Sequence, residues 1–390
     1  MCQWCMEHGE GKKWYENMMN YAREWLDDEE TAKGLHTFMQ KTEIISASSN
    51  EQIYSVLEEN PDRIFELDEQ IKRYSMVASH SQIIPIEDVM KVLGIASNPI
   101  VRFACGCRRR YLGMENAKYC LVFGRFAEEI VGQYPDYHRG DFDYLTKEET
   151  KELIQKWHDK EGHVFTVEAG KLPYIYGICV CEYPVCSVLR RMANWGNYYN
   201  FRYKKAEYFA AVDSEKCTGC GKCLARCPFG AMRLKKRTKK VVIDPRRCIG
   251  CGQCRVPCSK EAIALRPRHE NLLLAEDGEQ DVIMFSGQRM IIPRKKVEIT
   301  VDYEACTDPM NCAKCLHVCP STVFILKPLY QRQQNGPVVP TKDNWRLMPV
   351  HERFCYDCGE CVTVCPRGAI TIKSKGAVSL KSPAEPPPSP

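Results

Sequence analysis

Two runs of closely spaced cysteines in the middle of the sequence have the chemistry to bind metal. The spacing C-x2-C-x2-C-x3-C occurs in residues 217–227 and again in residues 248–258. This spacing holds cubane iron–sulfur clusters in two-cluster proteins. A single CxxC pair is also typical of zinc knuckles and redox dithiols, but two copies of a four-cysteine run favour iron–sulfur clusters. The eight cysteines are Cys217, Cys220, Cys223, Cys227, Cys248, Cys251, Cys254 and Cys258.

The spacing also predicts how these ligands divide between two clusters. Three thiolates two residues apart, in a tight loop with Gly219 and Gly221, can converge on three irons of one cube. The fourth cysteine lies too far along the chain to close that cube, so it crosses to the other one. Site I is therefore predicted to contain Cys217, Cys220, Cys223 and Cys258, and site II Cys248, Cys251, Cys254 and Cys227.

The pattern returns near the end of the sequence with one change. Cys306 and Cys312 are separated by five residues instead of two, which leaves Asp308 as a less favoured alternative ligand in that arm. The same crossover rule predicts two further ligand sets. Site III would contain Cys306, Cys312, Cys315 and Cys365, and site IV Cys355, Cys358, Cys361 and Cys319.

These motifs resemble the bacterial dicluster ferredoxins. The resemblance covers about residues 211–265 and 297–373, with Ser259 where a proline usually follows the fourth cysteine. It implies two tandem ferredoxin modules that hold four [4Fe-4S] clusters and carry single electrons.

Six further cysteines lie upstream without ferredoxin spacing: Cys105, Cys107, Cys120, Cys179, Cys181 and Cys186. Two C-x-C pairs follow strands predicted at residues 100–104 and 174–178, so both sulfurs of each pair should face one side. Their grouping favours one further cluster over buried structural cysteines, although the spacing does not identify which four would ligate. Arg108 and Arg109 would offset cluster charge or bind an anionic substrate. The alternative is that they belong to a charged turn exposed to solvent. The C-x-C-R segment loosely resembles multi-cluster iron–sulfur proteins of anaerobes.

The first residues contain a third kind of cysteine pattern. Cys2, Cys5 and His8 form C-x2-C-x2-H, which differs from the C-x-x-C-H of haem attachment. They could hold a metal if a fourth ligand came from elsewhere. The alternative is a pair of free thiols on a frayed terminus.

The elements that must position these residues indicate an α+β chain. Apolar spacing predicts a helix over residues 12–28, and Thr146 with Glu149 forms a capping box that starts another. Residues 330–348 are predicted to be a surface insertion. The predicted regions are 1–80 (helical), 81–205 (α/β, with the C-x-C pairs), 206–270 (first ferredoxin module), 271–373 (second module with the insertion) and 374–390 (a disordered proline-rich tail).

Composition narrows the class of protein. The 390 residues include 24 cysteines, and the formal net charge is +5. Four dianionic clusters would bring that charge to about −3, so the basic residues compensate buried anions and nucleic acid is not an expected partner. The sequence shows no secretory signal and no apolar run near the ~18–20 residues of a membrane span. A cytoplasmic, reducing and anaerobic setting is expected.

Two functions follow from these patterns. The first is a polyferredoxin-type electron-transfer subunit, part of a hetero-oligomeric oxidoreductase complex with a catalytic partner. The second makes the chain itself an iron–sulfur reductase, with an active-site cluster in the α/β region. A zinc-based scaffold is a third and weaker hypothesis. Flavin or nicotinamide binding is not indicated, because no glycine-rich nucleotide motif follows a predicted strand.

Overall fold

The computed structural model describes five parts of the chain and a short segment before them. The described residues are 11–21 (except 12), 81–169, 174–189 (except 184, 187 and 188), 205–270 (except 228, 236 and 246), 295–329 (except 320–322) and 343–377 (except 351, 353, 354 and 356). Cys2, Cys5, His8 and residues 378–390 lie outside the described residues, whereas residues 374–377 of the predicted disordered tail are the end of a strand.

A six-stranded sheet with the order β1-β5-β6-β3-β2-β4 forms the centre of the N-terminal half. All its strand pairs are antiparallel, so this region is α+β and not the parallel type of α/β domain. The strands are β1 (Gln82–Ile84), β2 (Ile100–Ala104), β3 (Lys118–Phe123), β4 (Phe142–Leu145), β5 (Val164–Ala169) and β6 (Ile175–Cys181).

Helices cover both faces of this sheet because its strands carry apolar side chains on both sides. One core joins Val89, Ile154 and Phe165, and the other joins Val101, Phe126 and Ile130. The predicted capping box is confirmed, since Thr146 Oγ1 accepts from Glu149 N. The helices are α1 (Ile86–Ile95), α2 (Gly106–Leu112), α3 (Gly124–Gln133), α4 (Pro135–His138) and α5 (Lys147–Lys156), which continues into a π turn over Trp157–Glu161.

The helix predicted from residue 12 is wrong over residues 13–21. Two short 3₁₀ turns occupy this segment, Trp14–Glu16 and Met18–Tyr21. Contacts with the sheet domain replace the helical pattern, because Trp14 Nε1 donates to Gln82 Oε1 at 2.7 Å and Tyr15 Oη donates to Asp88 Oδ2 at 2.7 Å. Tertiary hydrogen bonds thus override the apolar spacing here.

Two small modules with two-stranded sheets follow the large sheet. In the first, β7 pairs with β10, and β8 pairs with β9. The β8–β9 pair is called the basic hairpin, because the connecting residues 235–240 are four lysines, one arginine and one threonine. In the second, β11 pairs with β14, and β12 pairs with β13. The strands are β7 (Tyr208–Val212), β8 (Met232–Leu234), β9 (Val241–Ile243), β10 (Ile263–Pro267), β11 (Lys295–Val301), β12 (Ile325–Pro328), β13 (Trp345–Met348) and β14 (Ile370–Ala377).

Short helical segments beside the cysteines complete the two modules. In the first module these are the 3₁₀ turns Leu224–Arg226 and Gln253–Arg255, and a third turn, Arg268–Glu270, follows β10. In the second module they are α6 (Pro309–Cys312), α7 (Lys314–Val318) and α8 (Glu360–Val364).

The end of the predicted surface insertion lies in the protein core. Trp345, the first residue of β13, is only 1% exposed, and Leu347 is buried with it. They pack with Leu326 and Ile370 of the second module. The prediction of a surface loop is therefore wrong for residues 345–348, because this strand supplies apolar side chains to the core of the second module. Among the described residues, no helix combines the length and apolar character required to cross a bilayer.

Candidate metal centres

The structure brings the cysteines of sites I and II together in two separate cavities. One cavity of about 350 Å³, which includes space open to solvent, is lined by Cys217, Cys220, Cys223 and Cys258. A second of about 350 Å³ is lined by Cys227, Cys248, Cys251 and Cys254. Each cavity therefore has three cysteines from one motif and the fourth from the other, which is the grouping expected from the spacing.

The same arrangement recurs in the second module. Cys361 interacts electrostatically with Cys319, Cys355 and Cys358, which places the four predicted residues of site IV together. Cys306 interacts with Cys365 and Cys312 in the same way, and Cys315 interacts with Cys306 and Cys312. The longer C-x5-C arm thus still reaches site III, and Asp308 instead caps the short helix α6 by accepting from Asn311 N at 3.2 Å.

Backbone hydrogen bonds explain why the fourth cysteine crosses between motifs. Asp213, just before the first motif, donates its N–H to the carbonyl of Ala262, just after the second. In the reverse sense, Asp244 N donates to Ala231 O, and both bonds are 2.8 Å long. The end of each motif is thereby tied to the start of the other. In the second module, Asp302 N donates to Ala369 O at 2.8 Å in the same way.

A backbone N–H also points at the sulfur of every crossover cysteine. The donor is always four residues further along the chain, and the N···S distances are 3.3–3.4 Å. Such bonds stabilise the charged thiolate and tune the reduction potential of a bound cluster. The sequence pattern does not reveal these groups, because the donors are backbone atoms of ordinary residues. They are Ala231, Ala262, Val323 and Ala369.

Burial holds many of these thiols in their protonated form in the absence of metal. Burial, followed by the charges of Cys258, Cys220 and Cys217, raises the pKa of Cys223 to about 11. Burial likewise raises the pKa of Cys251 to about 12. Because metal ligands must be thiolates, metal binding at these sites has to release protons.

The six upstream cysteines also lie close to one another, although one of the expected geometries is wrong. Cys179 and Cys181 lie on the extended strand β6 as predicted. Cys105, however, precedes helix α2, and Cys107 lies in its first turn, so this pair is not extended. Cys120 on β3 is paired in register with Cys179.

The two arginines beside these cysteines are buried. Arg108 is 3% exposed, and its guanidinium donates to Val180 O at 3.2 Å and to Glu182 Oε2 at 2.9 Å. Arg109 is buried as well. The burial of Arg108 favours compensation of cluster charge over the binding of a substrate from solvent.

The donor sets of sites I to IV fit [4Fe-4S] clusters. Each set is made of four thiols, as a cubane requires, and the crossover sulfurs already receive N–H donors. Two of the sets line cavities, one for each cube of the first module.

Comparison with known proteins agrees with this chemistry. Two family models, each described as a 4Fe-4S dicluster domain, match residues 216–262 and 305–370. A ferredoxin of Methanothermococcus thermolithotrophicus is 36% identical over 75 residues, which are 19% of this chain and 97% of the relative. An uncharacterized ferredoxin of Methanocaldococcus jannaschii is 35% identical over 78 residues, which are 20% of this chain and 79% of the relative.

Proposed function

This chain belongs to the dicluster ferredoxin family, and we propose that it is a polyferredoxin-type electron-transfer subunit that serves a catalytic partner in an oxidoreductase complex. The ligands are the sixteen cysteines of sites I to IV. When bound, each [4Fe-4S] cluster accepts and returns a single electron. One observation carries the proposal: the two modules touch directly beside their crossover cysteines.

The contact between the modules is made by buried polar groups. Arg247 Nη2 of the first module donates to Phe229 O and also to Cys319 O of the second module, both at 3.2 Å. His317 of the second module lies with Nδ1 3.3 Å from the carbonyl oxygen of Cys227. The backbone beside site II is therefore held against the backbone beside site IV.

Close backbone packing at Gly230 strengthens this junction. A Cβ atom at this position would lie 2.7 Å from His317 O and 3.3 Å from Cys319 O. Only glycine allows the two backbone segments to approach this closely. We infer that sites II and IV are the inner pair, and that the electron route runs from site I through sites II and IV to site III.

The outer end at site I carries a basic surface. Cys220 is exposed, and the exposed side chains of Lys216 and Lys222 flank it in the same loop. The basic hairpin between β8 and β9 packs against this loop, where Lys240 Nζ donates to Cys217 O. Opposite charge steers redox partners to such a surface, so the expected partner at site I is an acidic redox protein.

The alternative, a reductase with its own active site, receives less support. That hypothesis uses Arg108 and Arg109 to bind an anionic substrate. Both side chains are buried, and Arg108 already donates to Val180 O and Glu182 Oε2. The guanidinium of Arg108 is therefore already engaged within the protein and is not presented to an incoming substrate.

Anaerobic purification of the full chain tests the proposal. We expect at least about sixteen iron atoms per chain, four for each cube, and bleaching of the thiolate-to-iron absorption by dithionite. Electron paramagnetic resonance of the reduced protein should show interacting cluster signals. Far fewer than a dozen irons, or clusters that accept no electron, would contradict the proposal.

A further inference from the structure

The six upstream cysteines form one closed ring of thiols. Cys105 is in thiol hydrogen-bond contact with Cys107 and Cys120, and Cys120 is in contact with Cys179. Cys186 contacts both Cys107 and Cys181. Cys181, two residues along β6, is an electrostatic neighbour of Cys179, which closes the ring.

Four different parts of the fold supply this ring. Cys105 and Cys107 come from the junction of β2 and α2, Cys120 from β3, Cys179 and Cys181 from β6, and Cys186 from the segment after it. All six are buried or half-buried, and none is in a disulfide. Free cysteine packs in cores as a small hydrophobe, but packing alone does not require six thiols from four parts of the fold to converge. A metal centre gives their convergence a physical reason.

A buried cation lies directly against the ring. Arg108 is the third residue after Cys105 and interacts electrostatically with it. The guanidinium also covers the ring of Tyr119, with 3.9 Å between its central carbon and the ring centroid. His163 also contacts this guanidinium, with its Nε2 atom 2.7 Å from Arg108 Nη2. A cation fixed this firmly beside thiols is suited to balance thiolate charge.

The ring lies where the sheet domain meets both ferredoxin modules. Cys107, Cys181 and Cys186 share a core with Phe229 and with Cys251 of site II. Cys107 also packs against the core of the second module, which contains Cys319 and Cys361 of site IV. Tyr183 connects the two sides, with its ring centroid 5.5 Å from that of Phe229 and 5.9 Å from that of His317.

We infer that the six-cysteine ring holds a further iron–sulfur centre at the junction of the two ferredoxin modules, with Arg108 as its buried counter-cation. The ring offers more thiols than the four that one cubane uses. Its position next to sites II and IV makes the centre a branch of the proposed electron route. This redox role rests on the proposed function, whereas the presence of the centre does not.

Iron counting on the anaerobically purified full chain tests the inference. The wild-type protein should hold about twenty or more irons per chain, above the sixteen of four cubes. The variant Cys105→Ser/Cys120→Ser/Cys179→Ser leaves three of the six thiols, fewer than the four that one cubane uses, so it should lose the excess iron while dithionite still bleaches the remaining clusters. Ile178→Val, next to Cys179 on β6, is the matched control and should retain the wild-type iron content.

The outcomes separate this inference from the proposed function. A wild-type count of about sixteen would overturn the further centre and leave the electron-transfer proposal intact. The further centre is equally overturned if the triple serine variant keeps all its iron, or if zinc is the metal found in excess. The iron count of the wild-type protein tests the inference by itself. The test therefore remains valid if the variant fails to fold. A wild-type protein without iron would overturn both proposals.

Discussion

Gly219 and Gly250 occupy the same place in the two motifs of the first module, and neither position accommodates a side chain. Both have positive φ, +75° and +78°. A Cβ atom at Gly219 would overlap the carbonyl oxygen of Lys239 in the basic hairpin, and one at Gly250 would overlap that of Tyr208. The glycines thus allow each cysteine loop to close against a neighbouring backbone segment.

Gly219→Ala should therefore empty site I. The left-handed backbone costs a residue with Cβ about 1–2 kcal/mol, and the overlap with Lys239 O adds to this. We expect the anaerobic protein to lose about four irons per chain. Gly132→Ala in α3 is the control, because nothing lies within 4 Å of its Cβ position, and it should keep all its iron. Full iron content in Gly219→Ala would contradict this explanation.

The sequence predicts the role of a residue when residue type and spacing determine that role. It does not predict the role when contacts with distant parts of the chain determine it. Cysteine spacing was sufficient to predict the sets that the structure brings together, because loop geometry dictates which sulfurs can converge. The role of Arg108 stayed open, since its environment is formed by Val180 of β6 and Glu182, which are distant in sequence. The N–H donors of Ala231 and Val323 were missed, because any residue type supplies them.

At the level of elements, an aspartate-led turn precedes the first motif of each module. Asp213 Oδ1 accepts from Glu215 N at 2.9 Å, and Asp302 Oδ1 accepts from Glu304 N at 2.9 Å. The same aspartates form the backbone bonds that tie the two motifs of a module together. The turn thereby holds the crossover cysteine near its three partners.

Asp213→Ala should destabilise the first module by about 1 kcal/mol, by analogy with the loss of a helix cap. Asp213→Asn retains a side-chain oxygen as acceptor and should lose only a few tenths of that. Differential scanning calorimetry under anaerobic conditions would measure both variants. Equal midpoints for Asp213→Ala and the wild type would show that the side chain is not required for the turn.

The basic hairpin makes a prediction about partner binding. Lys235→Glu/Arg237→Glu reverses two exposed charges near Cys220. The rate constant for reduction by an acidic flavodoxin should fall about tenfold at low salt, and its salt dependence should weaken. Lys156→Glu/Lys160→Glu changes the net charge equally, on the sheet domain and outside the hairpin, and should leave the rate near that of the wild type. Equal rate losses in both pairs would point to net charge alone.

Elements with a strong local signal were predicted well, and elements determined by tertiary contacts were not. The capping box at Thr146 and the strand at residues 100–104 follow from local chemistry and are present. The 3₁₀ turns at residues 14–21 depend on hydrogen bonds to Gln82 and Asp88, which lie far away in sequence. Strand β13 likewise depends on its pairing with β12, which lies on the other side of the long predicted insertion. Sequence reasoning therefore did not predict this strand.

At the scale of the whole molecule, the cores differ in how far they depend on metal. The core of the first module includes Cys217, Cys223, Cys248 and Cys254 among its buried residues. Among the residues that the structure describes, the core around Trp157 and Phe165 in the sheet domain contains no cysteine. Metal binding is therefore part of the folding free energy of the module but not of that part of the sheet domain.

Removal of iron should consequently unfold one part of the chain before the other. After oxidation and chelation, amide hydrogen exchange should become fast in β7 and β10, because their ligand-lined core is lost. Strands β1 and β5 should keep their protection, since Ile84, Phe165 and Val167 pack in the core that contains no cysteine among the described residues. Hydrogen exchange with mass spectrometry distinguishes the two regions. Protection of β7 and β10 in the iron-free protein would show that the module folds without its metal.

The junction between the modules supplies the last prediction. Arg247→Met keeps most of the side-chain volume but removes the donor shared by Phe229 O and Cys319 O. Each buried carbonyl left without a partner costs about 1–3 kcal/mol. We expect the junction to open while every site keeps its iron, so the magnetic interaction between the inner clusters should weaken in electron paramagnetic resonance. Arg233→Met changes an exposed arginine of the same module and should leave the spectrum unaltered. If Arg247→Met also leaves it unaltered, the inner route through sites II and IV does not depend on this contact.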